Sequence, residues 1–429
     1  MRVAMYTLGC KVNQYETQAM ERELLRRGHE IVAFEDEADA YVVNTCSVTA
    51  VSDKKSRQML RRAKAAHPAA VVAACGCYSQ THADEAECLE LDIVAGSAER
   101  EKFLDALEET VRERRYIRMI DDPLRRREFE VLPAGSVPGR TRAILKIEDG
   151  CTNFCSYCII PFSRGPIRSL PMAEGMRQLR ALDAEGYRET VITGIEIAGY
   201  GRDLSGNIGL VDFLDAAAEA VPAMRLRLGS LEARIITEDF CRRLSRHENL
   251  CPHFHLSLQS GADATLRRMN RKYTTAEYLH AVELLRQYFP NVAITTDLIT
   301  GFPGETEEEF AETLAFIERV GFADMHIFPY SVRPGTAAAK LPGQLSKAVK
   351  EERAHRAAAV AEEMHRAFLA SMVGTVVPVL FEQKKEDGRF YGHAPNYTET
   401  SVAAEGLHNE IRNVRLVSVD GDTMRGELI

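Results

Sequence analysis

Six cysteines, in two groups of three, are the residues of this sequence best able to do chemistry. Cys151, Cys155 and Cys158 form a C-x3-C-x2-C arrangement inside the stretch Glu148–Ser169, with no fourth cysteine or histidine close by. Three thiolates can hold three irons of a 4Fe–4S cube and leave the fourth iron without a protein ligand. A structural metal site closes all its positions; an open position is where chemistry occurs. The plainer alternative is an incomplete zinc knuckle or three unrelated cysteines. The second group is Cys10, Cys46 and Cys77, each one to three residues past the carboxyl end of an apolar strand (Val3–Leu8, Ala40–Asn44, Val71–Ala74). In an open α/β sheet those ends share one edge, where ligands bind. The three thiols therefore converge and would hold a second cube by three corners. Singly, each would read as a small buried residue. Cys75 lies on its strand, and alternation turns it away from that edge; it reads as core, as do Cys88, Cys241 and Cys251.

The elements that position these groups alternate strand and helix. Residues 1–115 read as a small open parallel sheet, with a fourth strand at Asp92–Ala95 and helices at Asn13–Arg27, Asp53–Ala66 and about 98–114. Residues 116–140, with Arg125-Arg-Arg, Pro133, Gly135, Pro138 and Gly139, read as a linker. From 141 to 371 the alternation resumes. Strands fall near 142–147, 190–193, 225–228, 253–258, 292–298 and 324–328, and helices near 172–185, 210–220, 237–246, 275–288 and 307–320, followed by one from Lys347 to about Ala370. Six such units make a partial (β/α)6 barrel, and Cys151, Cys155 and Cys158 fall on the loop after its first strand, at the face where barrels keep their sites. From 372 to 429 the period becomes two, with hairpin signals at Glu386-Asp-Gly388 and Val419-Asp-Gly-Asp422. Five short strands there suggest a small antiparallel β-barrel of the kind that binds single-stranded nucleic acid. Its Phe390, Tyr391 and Tyr397 either stack on bases or fill a core.

Bulk properties narrow the class. At 429 residues and formal net charge −9 the chain holds two or three domains and is no generic nucleic-acid coat. Ten cysteines are too few for a disulfide scaffold. With no apolar stretch of signal-peptide or membrane-spanning length, the reading is a soluble cytoplasmic protein without a membrane partner.

With Tyr157 just before its third cysteine, the Cys151/155/158 motif resembles that of the radical S-adenosylmethionine (SAM) superfamily, in which the free iron binds SAM. Glu196, Glu232, Gln259 and Asp297 lie on loops at the same face and are candidates for the SAM ammonium and ribose hydroxyls. Arg164 and Arg168 would offset cluster charge, meet substrate phosphate, or form surface ion pairs. Lys54, Lys55, Arg57, Arg61, Arg62 and Lys64, with Arg267, Arg268, Arg271 and Lys272, would position RNA by its phosphates.

The order of parts resembles the methylthiotransferase family: an N-terminal cluster domain, a radical-SAM core and a C-terminal TRAM domain. Thr7-Leu-Gly-Cys-Lys-Val-Asn-Gln-Tyr-Glu-Thr17 is similar to the opening of the branch acting on threonylcarbamoyladenosine at position 37 of tRNA. His255-Leu-Ser-Leu-Gln-Ser-Gly261 and Gly301-Phe-Pro-Gly-Glu-Thr306 match the family's barrel, whereas relatives more often have Asn or His at Glu196. The resemblance implies two 4Fe–4S clusters, on Cys10/Cys46/Cys77 and Cys151/Cys155/Cys158, with SAM as cofactor. It further implies a tRNA anticodon loop as partner, an electron donor and a sulfur source, and methylthiolation of adenine carbon 2. A ribosomal-protein aspartate or isopentenyladenosine in tRNA is the alternative target.

Overall fold

The computed structural model describes residues 1–135 and 140–429, so Pro138 and Gly139 of the expected linker lie outside it. The first 119 residues form a six-stranded parallel sheet from β1 (Arg2–Thr7), β2 (Glu30–Val32), β3 (Ala40–Thr45), β4 (Val71–Gly76), β5 (Ile93–Ala95) and β6 (Ile117–Met119). Their spatial order is β2-β1-β3-β4-β5-β6. Strands buried on both faces read as continuous apolar runs. Accordingly Val3, Val42 and Ala73 enter one apolar cluster and Ala4, Val43 and Ala74 the opposite one. Two strands were not expected: β2, and β6 within the stretch read as linker. Each has only three residues, too few for periodicity to register. Helices α1 (Lys11–Arg26) and α2 (Ala50–Ala66) follow β1 and β3. The chain passes from β1 to β2 on one side and then crosses to β3 on the other, making a switch point beside β1, the place where such sheets bind ligands.

The central part is the expected partial barrel. Arg142–Lys146, Glu189–Thr193 and Arg225–Leu228 form one parallel sheet; His253–Leu256, Ala293–Thr300 and Asp324–Pro329 belong to a second, joined to the first by a Leu226–Leu250 bridge. Its helices bury Leu179, Phe213, Phe240, Tyr278 and Phe310 against the strands in one continuous core. The helix Lys347–Met372 then leads to five strands that close as a barrel.

That small barrel plugs the amino-terminal end of the large one. Arg225 Nη2 donates to Pro378 O (2.7 Å), and Arg227 grips both Glu189 oxygens (2.7 and 3.0 Å) while its Nη1 donates to Pro395 O (2.8 Å). Tyr397 stacks on His393 and His253, at ring separations of 4.5 and 5.1 Å, under the Arg227 guanidinium. Tyr397 is thus a domain-joining residue, and Phe390 is core of the small barrel. Tyr391 is half-buried on the outside of the small barrel, its hydroxyl donating to Asp387 and its ring beneath Lys385. The core reading is therefore correct for Phe390.

Candidate active site

The carboxyl ends of β1, β3 and β4 are neighbours, and each delivers a cysteine: Cys10 caps α1, Cys46 follows β3 directly, and Cys77 opens a short helix, Cys77–Thr81. Gly9 makes the closest approach possible. Its φ is +105°, and a Cβ there would stand 2.8 Å from Cys46 Sγ, so a side chain would both strain the backbone and displace the thiol. Asn13 Nδ2 ties the same two loops by donating to Leu8 O (2.8 Å) and Thr45 O (2.9 Å). Cys75, by contrast, packs in the apolar core. Cys241 and Cys251 are buried as expected, but Cys88 is exposed, sitting on the turn after a short helix.

The second group sits on the loop after the first strand of the large barrel. The Asn153 N–H points at Cys151 Sγ (3.5 Å), and Arg271 Nη1 donates to Cys155 Sγ (3.3 Å). Ser156 anchors the loop through its hydroxyl to Arg268 O (2.8 Å) and its N–H to Met269 O (2.9 Å). Tyr157 packs edge-on against Phe302. Arg271 therefore faces the cysteine loop instead of an RNA, and Arg268 is paired with Glu309. On the basic face of α2, by contrast, Lys54, Lys55 and Arg61 are exposed.

Arg164, six residues after Cys158, joins the two groups. Wholly buried, it donates from Nε to Cys77 Sγ (3.3 Å), from Nη2 to Asn13 Oδ1 (2.8 Å), and to Glu16. Glu16 also takes Arg100 (2.8 Å) and Lys146 (3.3 Å), and Lys146 reaches Asp149 (3.1 Å). Burial pushes the Glu16 carboxyl up, but Arg164, Arg100 and Lys146 outweigh it and hold it well below the usual range. The surface-pair and phosphate readings of Arg164 are thus corrected. Arg168 is buried too, bonded to the carbonyls of Arg164 and Pro166. A second clamp lies opposite: Arg333, after the last barrel strand, pairs with Asp53 and donates to Ser47 Oγ (2.7 Å) just past Cys46. Glu16 and Asn13 were missed in the sequence. Their signal is a pair of polar residues three apart on the buried face of α1, directly after Cys10.

Of the polar candidates, Glu196 and Glu232 converge on Asn153 Nδ2 (3.2 and 3.5 Å), between Cys151 and Cys155. Burial first and Glu232 second push the Glu196 carboxyl up to about 7, and its Oε1 is a buried acceptor without a donor. Asp297 instead meets His255 Nε2 (3.3 Å). Gln259 sits at φ +69° and pairs through its backbone N–H with Asp297 O (2.9 Å).

Each group offers three thiols and no fourth ligand close in sequence, the donor set of a cube with one open corner. Among the described residues no three His, Cys, Asp or Glu gather closely enough for one metal ion. Yet the thiols sense one another: burial, then Cys77 and Cys10, push Cys46 up to about 11, and burial, then Cys155, pushes Cys158 up to about 12. Iron at the centre of each group would reverse that cost, since coordinated thiols are deprotonated. Arg164 and Arg271 already aim charged donors at one sulfur in each group.

Comparisons with known proteins agree with this geometry. The Radical SAM superfamily matches residues 145–317, and the family described as Uncharacterized protein family UPF0004 matches residues 2–96. A curated relative from Bacillus subtilis, threonylcarbamoyladenosine tRNA methylthiotransferase MtaB, is 40% identical over 97% of this chain and 93% of its own. The relative of the same name from Aquifex aeolicus is 38% identical over 82% and 86%. A tRNA-2-methylthio-N(6)-dimethylallyladenosine synthase from Thermoanaerobacter is 31% identical over 99% and 92%. Among solved structures, the radical SAM methyltransferase TsrM from Kitasatospora setae superposes with TM-score 0.55 at 15% identity over 79% of this chain and 76% of that one, a likeness of fold. The chain belongs to the methylthiotransferase family of radical SAM enzymes. Its cofactors are SAM and two 4Fe–4S clusters. Among the described residues no helix is long and apolar enough to cross a membrane.

Proposed function

We propose that this chain adds a methylthio group to carbon 2 of threonylcarbamoyladenosine at position 37 of tRNA, in the cytoplasm. Supporting the substrate are the names of its relatives at 33–40% identity. The observation that carries the chemistry is Arg164, which touches the Cys77 thiol from the short helix Ile160–Arg164 that follows the loop bearing Cys151, Cys155 and Cys158. Cys151, Cys155 and Cys158 would hold one cluster, and Cys10, Cys46 and Cys77 the other.

Bound there, the first cluster and SAM would supply the radical chemistry that an inert aromatic C–H bond demands, and the second would present the sulfur. The remaining work falls to the protein. Glu196 and Glu232, turned toward Asn153, would take the SAM ammonium beside the Cys151 loop. Arg164 and Arg271 would stabilise the negative charge of sulfur at each site. Glu16 holds Arg164 in place and, together with Arg100 and Lys146, keeps the domain boundary closed to water. The target base would enter splayed out of an anticodon loop, with the exposed Phe154 ring, edge-on to Phe162, offering a stacking surface at the mouth. The electron donor and the sulfur source are external partners.

Mass spectrometry of tRNA nucleosides from cells lacking the gene tests this reading. The methylthio form of threonylcarbamoyladenosine should vanish and return with the intact gene. It should stay absent with Cys10→Ala or Cys151→Ala. Loss of the methylthio form of isopentenyladenosine instead, or an unchanged tRNA with an altered ribosomal protein, would refute it.

A further inference from the structure

The cations around the two thiol groups are almost all spoken for. Arg164, Arg100 and Lys146 share Glu16; Arg333 holds Asp53; Arg271 bonds Cys155 Sγ and Ser257 O. Lys11 is different. It follows Cys10 directly, is exposed, and its ammonium has no hydrogen bond or ion pair among the described residues. It also stands in the first turn of α1, where a cation opposes the helix dipole. Local structure thus gives no reason for a lysine here and a slight reason against one.

Its surroundings supply a reason. Down the inner wall of the large barrel runs a polar ladder: His253 Nε2 to Thr295 Oγ1 (3.4 Å), Thr295 Oγ1 to His255 Nδ1 (3.0 Å), and His255 Nε2 to Asp297 (3.3 Å). The His253 imidazole at its foot is kept neutral by burial first, then by the charges of Arg227, His255 and Lys11. Lys11 is thus one of several positive charges near the foot of this ladder, after Arg227.

The proposed substrate brings a matching group. A threonylcarbamoyl substituent on N6 of adenine ends in a carboxylate. Carbon 2 and N6 flank N1 on the same edge of the base. A sulfur delivered to carbon 2 from a site with Cys10 as ligand puts that substituent beside the residue following Cys10. We propose that Lys11 binds the threonyl carboxylate and sets the preference for an acidic N6 substituent over a neutral one. This rests on the reading of the substrate given above.

The test uses full-length enzyme with both clusters reconstituted and two tRNAs: one bearing threonylcarbamoyladenosine, and one in which its carboxylate is a methyl ester. Product formation and direct tRNA binding are both measured. A charge-assisted hydrogen bond corresponds to a change of about 10- to 100-fold. Lys11→Met should raise KM and Kd for the acid by about that factor, leave those for the ester unchanged, and leave iron content intact. Lys11→Arg should recover most of the loss. Equal losses on both tRNAs, the mark of a phosphate contact, would overturn the proposal, as would no loss on either. If the unaltered enzyme methylthiolates neither tRNA, the substrate reading fails, and the role of Lys11 fails with it.

Discussion

Arg164 Nε lies 3.3 Å from Cys77 Sγ, although the two residues belong to different domains. The contact gives the boundary its chemical purpose, because one guanidinium ties the thiols of the N-terminal sheet to the thiols of the barrel loop. Removing one partner of a buried pair leaves the other charge uncompensated, at about 3–5 kcal/mol. Arg164→Met should therefore lower the urea midpoint of the apoprotein; Glu16 keeps Arg100 and Lys146 as partners, so Glu16→Gln should cost less when added to Arg164→Met than on its own. Two losses that simply add would show that the residues are not coupled.

Glu196 titrates near neutrality, at about 7. Below that pH its carboxyl is protonated and cannot pair with an ammonium. Affinity for SAM should accordingly rise between pH 6 and 8 in the reconstituted enzyme, and the rise should flatten in Glu196→Gln. Isothermal titration at several pH values would read it; identical slopes in both proteins would remove Glu196 from SAM binding.

The floor of the large barrel should be acid-sensitive. His253 is held well below its ordinary value by burial, Arg227, His255 and Lys11. Its folded form stays neutral while the unfolded form takes a proton below about pH 6.5, so stability is full above that pH and falls as pH drops. The slope reaches about 1.4 kcal/mol per pH unit for one such group. Urea midpoints should fall from pH 7 to 5, and His253→Gln should reduce the slope; an equally steep variant would assign the acid loss to other groups.

RNA affinity should depend on α2. Lys54, Lys55 and Arg61 are exposed on it, and each phosphate contact removed lowers the salt slope of binding by about 0.7–0.9. Changing all three to Gln should flatten the slope by about two units without altering iron content. A slope equal to that of the native protein would place the RNA elsewhere.

Much of this was legible in the sequence for local reasons. Cys151, Cys155 and Cys158 declare themselves by spacing, and Cys10, Cys46 and Cys77 by recurring after apolar strands whose ends then prove adjacent. The six main barrel strands were marked by short apolar or alternating runs, such as Ala143-Ile-Leu145 and Arg225-Leu-Arg-Leu228. The missing part was long-range pairing. Nothing near Arg164 indicates that its partners lie about 150 positions upstream at Asn13 and Glu16, and Arg271 looks like any solvent-facing arginine until Cys155 is beside it. Tyr397 was ambiguous because it lies on the turn between two strands, where local pattern cannot say whether a second domain packs against it.

The central claim is that each thiol group holds its own cube. Iron and acid-labile sulfide counted in the reconstituted protein decide it most directly. The account predicts about eight irons per chain, falling to about four when Cys10, Cys46 and Cys77 are all changed to Ala, and to about four when Cys151, Cys155 and Cys158 are. Four irons in the unaltered protein, unmoved by the first set of changes, would contradict it.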